Sequence, residues 1–227
     1  MDMPVVLVPG FMLDADLWSD LVDDLAALGP VRHADLSRAA SIEEMAADLL
    51  EAAPGRFDLV GFSMGGYVAR AAQRAAPHRI RRLVLIATSA RGDAAVQAQR
   101  KAAIAEADPA SFRGLSRGSI RTSLAPDREG DTGLVERIRA MSVRLGGETF
   151  RRQALVRRDG DMDLLPAIGC PTLVVAGSRD RLRSLDEARE LQAGIPGATL
   201  RIIDAGHMIP MEAPEELSAA LLAFLGD

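Results

Sequence analysis

Cysteine is nearly absent from this chain of 227 residues: Cys170 is the only one, so no intramolecular disulfide can form. That usage fits a reducing compartment, and a cytoplasmic location is expected. Long apolar runs are missing too. No stretch reaches the roughly 18 residues a membrane span needs, and no membrane partner is expected. Met1-Asp2-Met3-Pro4 carries no basic region ahead of an apolar one, so no signal peptide is predicted. Basic excess is also lacking. The net charge is −5, which leaves no positive field to recruit nucleic-acid phosphates. Lysine has all but vanished in favour of arginine, Lys101 being the only one, a bias that suggests base composition more than function. The chain has only three histidines, His33, His78 and His207, so few groups could act as a general base near neutral pH.

What is present is hydrophobic, 48% of residues, and long enough to bury one sizeable α/β core. Short apolar runs alternate with helical patterns. Strands are predicted over Val5–Val8, Val31–Ala34, Phe57–Phe62, Leu83–Ala87, Thr172–Ala176 and Thr199–Ile203. Most are continuously apolar, as strands covered on both faces are. Leu17, Trp18, Leu21, Leu25 and Leu28 repeat at helical spacing, Ser41 and Glu44 form a capping box, and Pro214 opens a last helix with Glu215 and Glu216 in its first turn. Strands separated by helices imply parallel pairing and a doubly wound, mostly parallel sheet. Residues 91–165 break the alternation, with helical patterns such as Thr132–Leu145 and Glu148–Arg158, many charges and no convincing strand. They are predicted to form a small helical lid inserted into a core made of residues 1–90 and 166–227.

Chemistry concentrates at Gly61-Phe62-Ser63-Met64-Gly65, which follows one predicted strand and opens a helix. A serine on so tight a strand-to-helix turn presents its hydroxyl, and the next residue offers an N–H at the positive end of a helix. The same five-letter pattern recurs at Gly114-Leu115-Ser116-Arg117-Gly118, but no strand precedes it and Ser119-Ile120-Arg121 is a poor helix opening. Ser116 is therefore expected to be incidental. A serine nucleophile needs a base and an acid. His207 follows the last strand and Asp180 the one before it, where catalytic groups gather in a doubly wound sheet. Asp204 and Asp186 are nearer alternatives for the acid, but one ends its own strand and the other lies in the following helix. His78 suits a surface connection. Beyond the first strand, Gly10 lets the chain turn, and the Phe11 N–H would join that of Met64 as an oxyanion donor.

These residues, in this order, resemble the α/β-hydrolase superfamily. The likeness runs from Val5-Val6-Leu7-Val8-Pro9-Gly10 through the Ser63 turn and Cys170–Asp180 to Gly206-His207 and Met211-Glu212-Ala213-Pro214-Glu215. It is closest to the branch of small esterases, enol-lactonases, cofactor-free perhydrolases and C–C bond hydrolases. The resemblance implies that the six strands correspond to the family's third to eighth, with the first two missing. It implies a catalytic triad of Ser63, Asp180 and His207, cleavage of a small-molecule carboxylic ester through an acyl-enzyme, and no metal or organic cofactor. Lactonase, perhydrolase or C–C hydrolase activity on the same triad, or a ligand-binding protein without catalysis, are the alternatives. One departure is Pro9, where many members have histidine, so the oxyanion loop must be held differently.

Met12, Met64, Met208 and Met211 accompany the chemistry. They read either as an adaptable apolar acyl pocket, with Met12, Tyr67 and Met208 touching substrate, or as ordinary core filler. Arg113, Arg117, Arg121, Arg144, Arg151 and Arg152 read either as carboxylate binders or as a solvated lid face. Cys170, just before a strand, reads as a small buried hydrophobe.

Overall fold

The computed structural model describes residues 3–93 and 108–226. Six strands form one sheet: β1 (Val5–Val8), β2 (Val31–His33), β3 (Phe57–Phe62), β4 (Ile80–Ile86), β5 (Thr172–Gly177) and β6 (Thr199–Ile203). Their order is β2-β1-β3-β4-β5-β6 and every pairing is parallel. The chain steps from β1 outward to β2, then returns across β1 to β3. The loops leaving β1 and β3 therefore diverge and open a crevice at the carboxyl ends of the strands.

Alternate residues of each strand feed two cores. Val5, Leu7, Val60, Phe62, Val84 and Ile86 face one side of the sheet, and Val6, Val8, Leu59, Leu83 and Leu85 the other. Burial on both faces is why these runs are apolar throughout rather than alternating. On the second side pack α2 (Ile42–Ala52), α3 (Met64–Ala75) and α6 (Leu185–Gly194). The first side is covered by α1 (Val22–Ala26), α8 (Pro214–Gly226) and part of the β4–β5 connection.

Strand boundaries differ from expectation where charge or backbone intervenes. β4 starts at Ile80, three residues early, because Arg81 clamps the buried Asp58 of β3 with two hydrogen bonds, Nε to Oδ1 at 2.8 Å and Nη2 to Oδ2 at 2.6 Å. The arginine hides the strand from an apolar count. The same strand stops at Ile86 because Ala87 turns to φ 48°. The leucine repeat after β1 is broken into a 3₁₀ turn (Ala15–Trp18) and the short α1. Ser41 caps α2 by accepting the Glu44 N–H, but the Glu44 carboxylate reaches back to the Ala40 N–H rather than to Ser41. The full reciprocal box is at Ser184 and Glu187, opening α6.

Between β4 and β5 the described elements are all helical, the main ones being α4 (Arg117–Ser123) and α5 (Thr132–Leu155). Residues 94–107 of the expected lid lie outside the described ones. α5 kinks at Gly146, whose φ of 76° and ψ of 175° are non-helical, so the two amphipathic stretches are two helices in one. Short α7 (Ile209–Glu212) follows β6. Among the described residues no helix is long and apolar enough to cross a membrane.

Candidate active site

Ser63 joins β3 to α3 with φ 51° and ψ −113°, a strained backbone for a residue with a side chain. Close packing forces this turn. A Cβ on Gly65 would stand 2.5 Å from the carbonyl oxygens of Val8 and Pro9, and one on Gly61 would stand 2.5 Å from the Gly65 oxygen. The Ser63 N–H donates to Ile86 O at 2.8 Å, and Thr88 Oγ1 donates to Ser63 O at 2.7 Å. Ser116 shares none of this. Its φ is −67°, and its hydroxyl caps α4 by accepting the Ser119 N–H at 3.1 Å. The run after Ser116 does open a helix, contrary to expectation, because that cap satisfies its first turn.

Three side chains from three loops meet in line. His207 Nε2 lies 3.0 Å from Ser63 Oγ, and His207 Nδ1 lies 2.8 Å from Asp180 Oδ2. The Asp180 carboxylate is 1% exposed and the imidazole 7%. Oδ1 of Asp180 also accepts the N–H groups of Leu182 at 2.7 Å and Arg183 at 3.0 Å, which fixes the carboxylate plane. The imidazole packs on Phe62, ring centroids 5.2 Å apart. Its backbone N–H donates to Ser123 O of α4 at 2.8 Å, so the β4–β5 connection helps to place it. Glu212 ties the same loop down, accepting the N–H groups of Met208 at 3.0 Å and Ala125 at 2.8 Å. The other aspartates are elsewhere: Asp204 pairs with Ser178 and Arg179, Asp186 with Arg189. His33 lies in β2, and His78 is exposed in a 3₁₀ turn.

The N–H groups of Phe11 and Met64 have no hydrogen-bond acceptor among the described residues. Phe11 and Ser63 line a cavity of about 420 Å³ that also meets His207 and Met208. Its walls are mainly apolar, with Leu13, Ile120, Ile138 and Leu182 among them. Met12 and Tyr67, expected at the substrate, do not line it. Met12 is fully buried, and Tyr67 points away, donating its hydroxyl to Arg91 O at 2.8 Å beneath the Arg70 guanidinium. Met64 and Met211 are buried in the two cores, so three of the four methionines are filler and Met208 alone reaches the cavity.

The six arginines singled out in the expected lid do not line the cavity either. Arg117 pairs with Glu136, Arg144 with Asp14 and Asp16, and Arg152 donates to Ser37 O. The cavity arginines are Arg158 and Arg183, unmarked by any sequence pattern. Each is held by a carboxylate: Arg158 by Asp93 at 2.8 Å, Arg183 by Glu187 at 3.1 Å. Burial pushes the Glu187 carboxyl up, but hydrogen bonds from the Ser184 N–H and the Ser89 hydroxyl, with the Arg183 charge, outweigh it and leave its pKa below the ordinary value. Cys170 is partly buried at the second core, and burial pushes its thiol up, as suits a packing role.

Comparison with known proteins agrees with this architecture. A model of the alpha/beta hydrolase family matches residues 5–220. The chain is 29% identical to pyrrolizixenacetamide deacetylase from Xenorhabdus hominickii, over 84% of this chain and 75% of that one. It is 31% identical to the dihydrolipoyllysine-residue acetyltransferase component of the acetoin cleaving system of Pseudomonas putida, over 98% of this chain but only 63% of that longer protein. Among solved structures, a thermophilic esterase from Thermogutta terrifontis, with malate bound, superposes with a TM-score of 0.88 at 31% identity, over 99% of this chain and 89% of the esterase. With its parallel sheet, its sharp turn at Ser63 and a family match over nearly its whole length, the chain belongs to the alpha/beta hydrolase family.

Proposed function

We propose that this hydrolase is a serine esterase that cleaves small carboxylic esters through an acyl-enzyme on Ser63. One observation carries the reading: His207 bridges Ser63 and Asp180 with hydrogen-bond distances of 3.0 and 2.8 Å on its two ring nitrogens. With Nδ1–H donated to the buried carboxylate, Nε2 is free to accept the serine proton. Ser63 Oγ attacks the ester carbonyl as its proton passes to Nε2. The carbonyl oxygen gathers negative charge and takes hydrogen bonds from the Phe11 and Met64 amides, the second at the N-terminus of α3. The imidazolium returns the proton to the leaving alcohol. Water then repeats the sequence against the acyl-enzyme and releases the acid. No step calls for a metal or an organic cofactor.

The substrate reading is an ester with a compact apolar acyl group. The cavity walls are mainly apolar, and its two arginines are already balanced by Asp93 and Glu187. Residues 108–165 act as the lid that roofs this cavity, since Ile120 of α4 and Ile138 of α5 both line it. The Thermogutta relative is named as an esterase and the Xenorhabdus relative as a deacetylase, and both reactions move an acyl group.

The test is a panel of p-nitrophenyl esters, lactones and β-diketones, with hydrogen peroxide as an alternative acceptor and the Ser63→Ala protein as control. Turnover of short apolar esters and its loss in S63A are expected. Undiminished turnover in S63A would overturn the assignment. A sharp preference for charged acyl groups would overturn the apolar pocket.

A further inference from the structure

Gln153 stands on the last turns of α5, beyond the Gly146 kink, and is 4% exposed. Both ends of its amide bond to the core. Oε1 accepts the Met12 N–H at 2.8 Å, and Nε2 donates to Leu36 O at 3.1 Å. Only one orientation of the amide satisfies a donor and an acceptor so arranged. The residue also lines the cavity that contains Ser63.

Met12 needs that support. The Leu13 N–H donates to Gly10 O at 3.3 Å, closing a turn in which Met12 is the third residue. Met12 has φ 56°, while Phe11 is not among the positive-φ residues. That is the type II form, which favours glycine at the third position because a side chain there crowds the backbone. The central peptide of such a turn can flip to the commoner form, with its N–H on the opposite face. Gln153 holds that N–H. That flip turns the Phe11–Met12 peptide and leaves the N–H of Phe11, the turn's second residue, to the Gly10–Phe11 peptide. Gln153 therefore acts on this proposed oxyanion donor by fixing the residue that directly follows it. Pro9, just before the turn, can contribute no N–H of its own.

We propose that Gln153 is a positioning residue: from the lid, it tethers the strained Gly10–Leu13 turn by the Met12 N–H and so holds the Phe11 N–H, one residue earlier, in place for the oxyanion. This rests on the acyl-transfer reading. It makes the oxyanion site depend on the seating of α5, because the fastening comes from the inserted segment and not from the sheet.

The neighbouring Arg152 supplies the control. Its Nε donates to Ser37 O at 3.0 Å, one residue beyond the carbonyl that Gln153 holds, and it has no bond to the turn. Gln153→Leu should lower kcat, counted per active site titrated to completion with a fluorophosphonate, by about 10- to 100-fold, since a small misplacement of an oxyanion donor costs that much. KM should move less than about threefold. Both half-reactions use the oxyanion donors, so kcat reports the loss whichever is slower. Arg152→Met should lower the melting temperature while leaving kcat within about twofold. Gln153→Glu keeps an acceptor for the Met12 N–H but, once ionised, sets a carboxylate oxygen against Leu36 O, so relative to wild type at the same pH it should recover more of the rate below the titration of its carboxyl than above it. Gln153→Asn, polar but one methylene too short to hold both partners, gives the same reading as leucine should the leucine protein not fold. Wild-type kcat in Gln153→Leu or Gln153→Asn would overturn the proposal, as would an equal kcat loss in Arg152→Met. Failure of the acyl-transfer reading looks different: the wild-type protein itself would resist the fluorophosphonate.

Discussion

Thr88 reaches across from the loop after β4 and donates its hydroxyl to the carbonyl oxygen of Ser63, 2.7 Å away. With the Ser63 N–H bound to Ile86 O, both sides of the strained residue are fastened to the end of one strand. Thr88 is 3% exposed, so valine can replace it with little change of shape. Thr88→Val should destabilise the protein by about 1 kcal/mol in urea denaturation. It should also lower kcat/KM severalfold, because the turn that aims Oγ loses a fastening. Unchanged turnover would mean that the strain at Ser63 is held by packing alone.

Asp180 gives a sharper kinetic prediction. Its Oδ1 is pinned by the N–H groups of Leu182 and Arg183, so an asparagine would keep oxygen there and turn its NH₂ toward His207. The imidazole would then present Nδ1 as acceptor and Nε2–H to Ser63, the tautomer that cannot take the serine proton. Asp180→Asn should lower kcat by about 10³- to 10⁴-fold while leaving the fold intact by circular dichroism.

The two matches to the serine pattern should respond oppositely to alanine. A Cβ at Gly65 meets the Val8 and Pro9 carbonyl oxygens at 2.5 Å, backbone that cannot give way, so Gly65→Ala should cost about 3 kcal/mol and most of the activity. At Gly118, within α4, a Cβ meets nothing within 4 Å. Gly118→Ala should therefore stabilise the protein by about 0.5 kcal/mol. Ser116→Ala removes the α4 cap and should cost about 1 kcal/mol in stability without silencing the enzyme.

Acid should weaken the Glu187 cluster. Its folded pKa lies below the ordinary 4.5, so the folded state holds the carboxylate more tightly than the unfolded chain does. The resulting stability is fully present above the unfolded value and fades as pH falls through the lower, folded one. The stability gap between wild type and Glu187→Gln, measured by urea denaturation, should be constant near neutrality and shrink at acid pH, below the ordinary value. A gap that widens on acidification would contradict this.

Much of the fold was legible because its cues are local. Val5–Val8, Phe57–Phe62 and Thr199–Ile203 have the predicted limits; the first two are buried along their whole length, as apolar runs in a parallel sheet are, whereas the third is a largely exposed edge strand. The start of β4 escaped because Arg81 is paid for by Asp58 on the neighbouring strand, a partner 23 residues away. Ser63, Asp180 and His207 could be singled out because each lies in the loop that leaves a strand, and chain order places those loops at one end of the sheet.

Sequence alone therefore determined the strands, their parallel sense and the loops from which a serine, an aspartate and a histidine project, because each depends on neighbours a few residues apart. Tertiary structure decided which side chains enter the cavity. Whether Tyr67 turns inward depends on how α3 is rotated against the sheet, and only packing sets that rotation, which here aims the Tyr67 hydroxyl at Arg91 O. Arg158 and Arg183 came to the cavity, and Gln153 to the N–H of Met12, 141 residues away, through helix docking that no local pattern encodes.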